Sequence, residues 1–190
     1  MAFACSALTA DDVRGRIVVE AGALNVNGSV RGHVESLGPA SYTATDMREG
    51  PGVDVVCAAE DLPAQFIHAD AGTLYRQRFG VVISTEMLEH AADWQAAMIG
   101  MIHVLKPGGV LVLTTRSAGF PVHGYPEDHW RFSVEAMGQI LKAAGLEVER
   151  LEPDPDPQSP GVFAKARKPA GWSWPQGARQ AWDEVEVTRP

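Results

Sequence analysis

Five runs along the chain are rich in strand formers: RIVVEAG (16–22), SYTATDM (41–47), VDVVCAA (53–59), FGVVIST (79–85) and GVLVLTTRS (109–117). Their nearly continuous apolar character describes strands covered on both faces. Between them the period lengthens. Behind Asp93 as an N-cap, Trp94, Ala97, Met98, Met101, Ile102 and Leu105 fall on one helical face. Ser133 opens a second helix, with Glu135 in its first turn, Val134, Met137, Ile140, Leu141 and Ala144 inward and Gly145 as its stop. Val30, Val34 and Leu37 share a face of a shorter one. Strand and helix alternate, the pattern of an α/β fold. LEVERLEP (146–153) and GVFAKARKP (161–169) add two strands, and the prolines of DPDPQSP between them cannot sustain a helix. The pattern predicts a doubly wound, mostly parallel, seven-stranded sheet that ends in an antiparallel hairpin.

Composition narrows the class. A chain of 190 residues with 45% hydrophobic residues can fill one core and leaves no room for separate cofactor and substrate domains. Residues 1–168 read as that domain. Residues 169–190 read as a C-terminal tail whose Trp172, Trp174 and Trp182 follow no period, so that a packed arm, a homodimer contact and a disordered end are all open. With 24 acidic against 16 basic residues the net charge is -8, which repels a phosphate backbone and argues for a small-molecule substrate over nucleic acid. Arg76 and Arg78, expected to flank a short helix beside Tyr75 and Phe79, read as a solvated face, and the long 64–79 stretch as a lid or an oligomer contact. No apolar run reaches 18 residues, and MAFACSALTA has no basic segment ahead of it, so neither a membrane span nor a secretion signal is expected. Cys5 and Cys57 are too few for a disulfide framework. A cytoplasmic protein is the expectation.

In an open parallel sheet, ligands bind beyond the carboxyl ends of the strands. The first run ends in Glu20-Ala21-Gly22, where Gly22 permits a close ligand approach; the second ends in Asp46, 24 residues after Gly22. A carboxylate there can accept from both hydroxyls of a ribose, so an adenosine-containing cofactor is expected. Leu24 and Val26 stand where a dinucleotide pyrophosphate would want small residues, which disfavours a nicotinamide-dependent oxidoreductase.

The phrases VVEAGALNVNGSVR, YTATDMREGPGVDVV, AAEDLP, STEMLEHAADW and VLKPGGVLVLTTRS stand in an order that resembles the class I S-adenosylmethionine-dependent methyltransferases, of methyltransferase type 11 kind. The stretch STEMLEH resembles ubiquinone-biosynthesis O-methyltransferases, and E-x-x-E-H the metal site of small-RNA 3′-end 2′-O-methyltransferases. The resemblance implies a Rossmann-like fold and S-adenosylmethionine as cofactor. It places Glu20 and Gly22 at the methionine part, Asp46 at the ribose, Met47 against the adenine, and Ala59 with Glu60 or Asp61 at the adenine edge, and it adds Thr85 at the end of the fourth run. Ala58 stands where the family often has an Asp, so adenine recognition would rest on the Ala59 backbone.

Two segments can serve an acceptor. On a helical turn, Glu86 would share a face with Glu89 and His90, a set suited to a divalent metal ion, with His123 or His129 as a further ligand. Packing and cofactor contact are the plainer reading of that set. The stretch 118–132, AGFPVHGYPEDHWRF, is longer than most connections. Its Phe120, Tyr125, Trp130 and Phe132 could line an acceptor pocket, and His123, Asp128 and His129 could act as bases beside His90. His33, His68 and His103 read as structural. The sequence therefore predicts a methyltransferase acting on a small molecule, with oxygen the favoured acceptor atom. A non-catalytic cofactor-binding or scaffold subunit of the same fold is the alternative.

Overall fold

The computed structural model describes residues 2–66, 68–70, 73–75, 78–124 and 127–190, the segments 68–70 and 73–75 by their backbone. The strands are β1 (Ile17–Ala21), β2 (Ser41–Asp46), β3 (Val55–Val56), β4 (His68–Asp70), β5 (Thr73–Tyr75), β6 (Phe79–Thr85), β7 (Leu105–Arg116), β8 (Glu147–Pro153) and β9 (Gly161–Arg167). The α-helices are α1 (Ala2–Ala7), α2 (Ala10–Val13), α3 (Arg31–Ser36), α4 (Leu62–Gln65), α5 (Trp94–Val104), α6 (Val134–Ala143) and α7 (Ala178–Asp183), with 3-10 turns at Ala59–Asp61 and Leu88–His90. Seven strands form one sheet in the order β3-β2-β1-β6-β7-β9-β8, and β4 and β5 form a separate hairpin.

β9 runs antiparallel to both β7 and β8, and the other pairs are parallel. The hairpin thus inserts its second strand between β7 and β8 rather than adding both in order. Along the central strands successive residues serve opposite layers. Val18, Val81, Ile83, Val110 and Val112 pack under α1 to α3, while Val19, Val82, Leu111 and Leu113 face the layer of α4 to α7.

Two expected boundaries move. The run at 53–59 yields a strand only at Val55–Val56, because Ala59 already begins a 3-10 turn. Leu105 is buried as expected, yet it opens β7 rather than closing α5, so LKPGG belongs to the strand, with a register shift against β6 between Phe79 and Val81. The expected short helix beside Arg76 and Arg78 falls mostly outside the described residues, on whose two sides Tyr75 ends β5 and Phe79 begins β6.

The caps behave as the side chains dictate. Asp93 accepts from the N–H of Ala96 at 2.9 Å and Ser133 from that of Ala136 at 3.0 Å. The apolar N-terminus forms α1, which buries Phe3, Ala4 and Ala7 over β7 and sets the Phe3 ring 5.2 Å from that of Phe163 in β9. Among the described residues, no helix is long and apolar enough to cross a membrane.

The tail packs as an arm. Trp182 is fully buried and donates to the carbonyl of Ile140 at 2.9 Å, and Trp172 donates to that of Ala144 at 2.8 Å. Thr188 exchanges backbone hydrogen bonds with Arg131 at 2.8 and 3.2 Å, and the Arg189 guanidinium lies 3.8 Å from the centre of the Trp130 ring.

Asp12 ties the two ends of the domain together. It completes a capping box with Thr9 and accepts from Lys165 at 2.9 Å and Arg167 at 3.0 Å. Burial acts upward on its carboxyl, but these hydrogen bonds hold it well below the usual carboxylate range. Asp12→Asn is expected to cost about 2 kcal/mol, because Lys165 and Arg167 lose a charged acceptor but both keep Glu149. Because the folded pKa lies below the unfolded one, the contribution is complete above the ordinary carboxylate range and is lost as pH falls. In urea melts the gap between native protein and variant should therefore narrow below about pH 4; a constant gap would contradict the assignment.

Candidate active site

The C-terminal ends of β1, β2, β6 and β7 lie side by side, and the chain leaves each of them by a tight local structure. After β1, Gly22 adopts φ +79, and its N–H and that of Ala23 both donate to the carbonyl of Thr45 at 2.9 Å. A Cβ on Gly22 would stand 2.4 Å from the Cβ of Met87, so only glycine lets these two turns close on each other. Asp46 accepts from the N–H of Leu24 at 3.3 Å with one oxygen and from that of Arg48 at 2.9 Å with the other. One carboxylate thus fixes both turns. Glu20 is buried and accepts from the Tyr42 hydroxyl, and burial raises its pKa. Met47 is exposed, Ala59 is buried, Glu60 and Asp61 are exposed at the 3-10 turn, and Thr85 closes β6 opposite Thr114.

Beyond β6 the expected helical turn is broken. Glu86 has φ +53, a left-handed conformation rare outside glycine, and the 3-10 turn begins only at Leu88. Glu86 therefore turns away from Glu89, accepting from the Thr114 hydroxyl at 2.7 Å and pairing with Arg116. Glu89 is fully buried; its Oε2 accepts from the Thr115 hydroxyl at 2.7 Å and its Oε1 has no hydrogen-bond partner. Burial, reinforced by the neighbouring Glu86, pushes the Glu89 carboxyl up to about 8.

What faces Glu89 is the 118–132 stretch. The backbone N–H groups of His129 and Trp130 donate to the carbonyl of Glu89 at 2.8 and 3.2 Å, which docks the loop on the turn. His90 Nε2 and His123 Nε2 each lie 3.9 Å from Glu89 Oε1, and the two rings are 4.8 Å apart. His90 Nδ1 is 2.5 Å from the carbonyl of Glu127, which can only accept, so Nε2 carries the lone pair. Burial lowers the His90 pKa. His123 Nδ1 lies 3.0 Å from Asp128 Oδ2. Burial acts upward on Asp128, but a two-pronged hydrogen bond from the buried Arg131, at 2.5 and 2.6 Å, holds it well below the usual carboxylate range.

The expected loop residues thus divide. His90, His123 and Asp128 come together. His129 instead faces Glu127 at 3.2 Å and Arg189 at 3.4 Å. Phe132 does not line a pocket; it is fully buried edge-on to Trp94, 5.7 Å away. Trp130 donates to the carbonyl of Ala91 at 2.8 Å, Phe120 packs on His123 at 4.9 Å, and Tyr125 lies outside the described residues. The sequence reading missed Arg116 and Arg131. The D-x-x-R spacing of Asp128 and Arg131 was the available signal for the latter.

The sequence matches the model of a methyltransferase domain over residues 38–151. The chain belongs to the methyltransferase family. It is an S-adenosylmethionine-dependent enzyme of class I, with the mostly parallel sheet and late hairpin of that fold. No curated protein matches it in sequence. Among solved structures it is similar to an S-adenosylmethionine-dependent methyltransferase from Mesorhizobium loti, at 16% identity and TM-score 0.62, covering 87% of this chain and 96% of that one. The N-methyltransferase NodS from Bradyrhizobium japonicum WM9 is 18% identical with TM-score 0.58, over 87% and 93% of the two chains. The cyclase SpnF is 18% identical with TM-score 0.63, over 88% and 80%. At these identities the likeness is one of fold, and the methyltransferase's acceptor has to be argued from its own residues.

Proposed function

We propose that this methyltransferase methylates a hydroxyl oxygen of a small-molecule acceptor. The observation that carries the reading is the convergence of Glu89, His90 and His123 beyond β6 and β7, under the 118–132 loop. S-adenosylmethionine, when bound, supplies an electrophilic methyl group on a sulfonium. Asp46 fits the cofactor, because each of its oxygens accepts one backbone N–H and keeps a lone pair for a ribose hydroxyl, while Gly22 lets the turn after β1 close on Met87 beside it. Glu20, Met47 and Thr85 at or just past the ends of β1, β2 and β6, with Ala59 and Glu60 in the 3-10 turn after β3, complete the proposed cofactor side.

A hydroxyl is a poor nucleophile until its proton is drawn away. His90 and His123 present Nε2 to one place; the Glu127 carbonyl accepts from His90 Nδ1, and Asp128 holds the backbone N–H of His123 with its Oδ2 3.0 Å from Nδ1. The rings orient the acceptor oxygen and take up or relay its proton, while Phe120 and the loop backbone keep bulk water off. His129 has no part in this, because its ring is engaged by Glu127 and Arg189.

The test is methyl transfer to a panel of small hydroxyl compounds, followed by mass spectrometry, with calorimetry of S-adenosylhomocysteine binding alongside. His123→Ala should lower kcat by about 100-fold, within the range for a proton-transfer group, and leave cofactor affinity within about twofold. His129→Ala should change neither. Full transfer by the His123 variant would sink the reading.

A further inference from the structure

We infer that Glu89, His90 and His123 form a binding site for a divalent transition-metal ion of the zinc or cobalt kind, beside the place where the acceptor oxygen arrives. The ion's use in the reaction rests on the hydroxyl reading above; its binding does not. One donor atom from each residue lies within 4.8 Å of the other two. Bond lengths of about 2.0–2.2 Å set the donors of a tetrahedral site about 3.3 Å apart, so each 3.9 Å approach of Nε2 to Oε1 has to close by roughly 0.6 Å. Rotation of His123, which is one-third exposed on its loop, can close its own approach, and a small rotation of the His90 ring has to close the other.

The independent observation is Glu89 Oε1. It belongs to a side chain with no exposure, has no hydrogen-bond partner, and is aimed at both Nε2 atoms. A buried carboxylate oxygen without a partner is costly, and a cation between it and two imidazoles would satisfy it. The outer contacts are those that metal-binding residues need. The Glu127 carbonyl holds His90 and the Thr115 hydroxyl holds Glu89 Oε2, and Asp128 Oδ2 stands 3.0 Å behind His123 Nδ1.

The structure changes the ligand set and narrows the choice of ion. Sequence spacing grouped Glu86 with Glu89 and His90, with His123 or His129 as a further ligand, a set that left magnesium, manganese and zinc open. With Glu86 turned to Arg116 and His123 as the one loop histidine at the cluster, the donors are two imidazoles and one carboxylate, a combination that favours zinc, cobalt or iron(II) and leaves coordination positions open. An ion there lowers the pKa of a hydroxyl brought to it. With the ion bound, both Nε2 lone pairs are on the metal, so the hydroxyl proton leaves to water instead of to the rings, the oxygen's electron pair forms the bond to the methyl carbon, and the pair of the broken carbon–sulfur bond stays on sulfur.

The experiment is calorimetric titration of zinc into protein prepared without a histidine tag and stripped with a chelator. S-adenosylhomocysteine binding serves as the folding control. One equivalent should bind the native protein, and His90→Asn, His123→Asn and Glu89→Gln should each weaken it by about 100-fold or more. Asp128→Asn should weaken it by about 10–100-fold, as for an outer partner, and His129→Ala should leave it unchanged. Absence of stoichiometric binding, or equal affinity across all these proteins, overturns the site. A His123 variant that loses transfer in a protein that binds no zinc overturns the site and leaves the hydroxyl reading standing. Stoichiometric zinc binding through these residues by a protein that methylates no hydroxyl supports the site and overturns that reading instead.

Discussion

Replacing Asp46 by alanine is expected to weaken S-adenosylhomocysteine binding by at least about 100-fold, the largest effect on cofactor affinity of any single change proposed for this protein. Two contributions act together. Hydrogen bonds to a charged acceptor are worth about 1.5–3 kcal/mol each, and a ribose offers two hydroxyls. The same carboxylate also holds the N–H groups of Leu24 and Arg48, so its removal loosens both turns that face the cofactor. Calorimetry on native protein and variant measures this directly. Asp46→Asn separates the contributions, because it keeps an acceptor oxygen and loses the charge. An alanine variant that binds as the native protein does would place the ribose elsewhere.

Gly100→Ala is expected to lower Tm by about 6–12 °C. Helix propensity alone predicts the opposite sign, since alanine in place of glycine stabilises an exposed helix by up to about 1 kcal/mol. Here the new Cβ would stand 2.0 Å from the carbonyl oxygen of Ala59 and 3.0 Å from the Cα of Glu60, and backbone cannot rotate out of the way. Overpacking of this kind costs about 3 kcal/mol, and in a chain of this length each kcal/mol moves Tm by about 2–4 °C. Because the displaced turn carries Ala59 and Glu60, cofactor affinity should fall with stability. Scanning calorimetry with and without S-adenosylhomocysteine reads both, and an unchanged Tm would mean that α5 does not approach the turn so closely.

The layered fold was legible because it rests on local signals. The faces of α5 and α6, their caps at Asp93 and Ser133, and the buried runs of β1, β6 and β7 are all written in stretches of about a dozen residues. The helix α1 was legible in principle from the i, i+1, i+4 spacing of Phe3, Ala4 and Ala7. The site was harder. Glu86 looks helical by propensity, and only its contacts with Thr114 and Arg116, on another strand, explain its left-handed backbone. His123 meets His90, 33 positions away, because the loop backbone docks on Glu89, a contact that no periodicity encodes. Phe132 reads as pocket lining because its core partner, Trp94, is 38 positions away.

The place of β9 in the sheet bears on how the protein is made. β9 lies between β7 and β8, and its Lys165 and Arg167 close on Asp12, 153 and 155 residues earlier. Until residue 167 has been synthesised, β7 has no neighbour on one side, and its run of Val110, Leu111, Val112 and Leu113 presents an open, apolar edge. Pairings so distant in sequence form slowly, and partly assembled sheets associate through such edges. Nascent chains stopped before Gly161 should therefore aggregate or depend on chaperones. Pairing of β9 with β7, rather than formation of any helix, is then the step that closes the sheet.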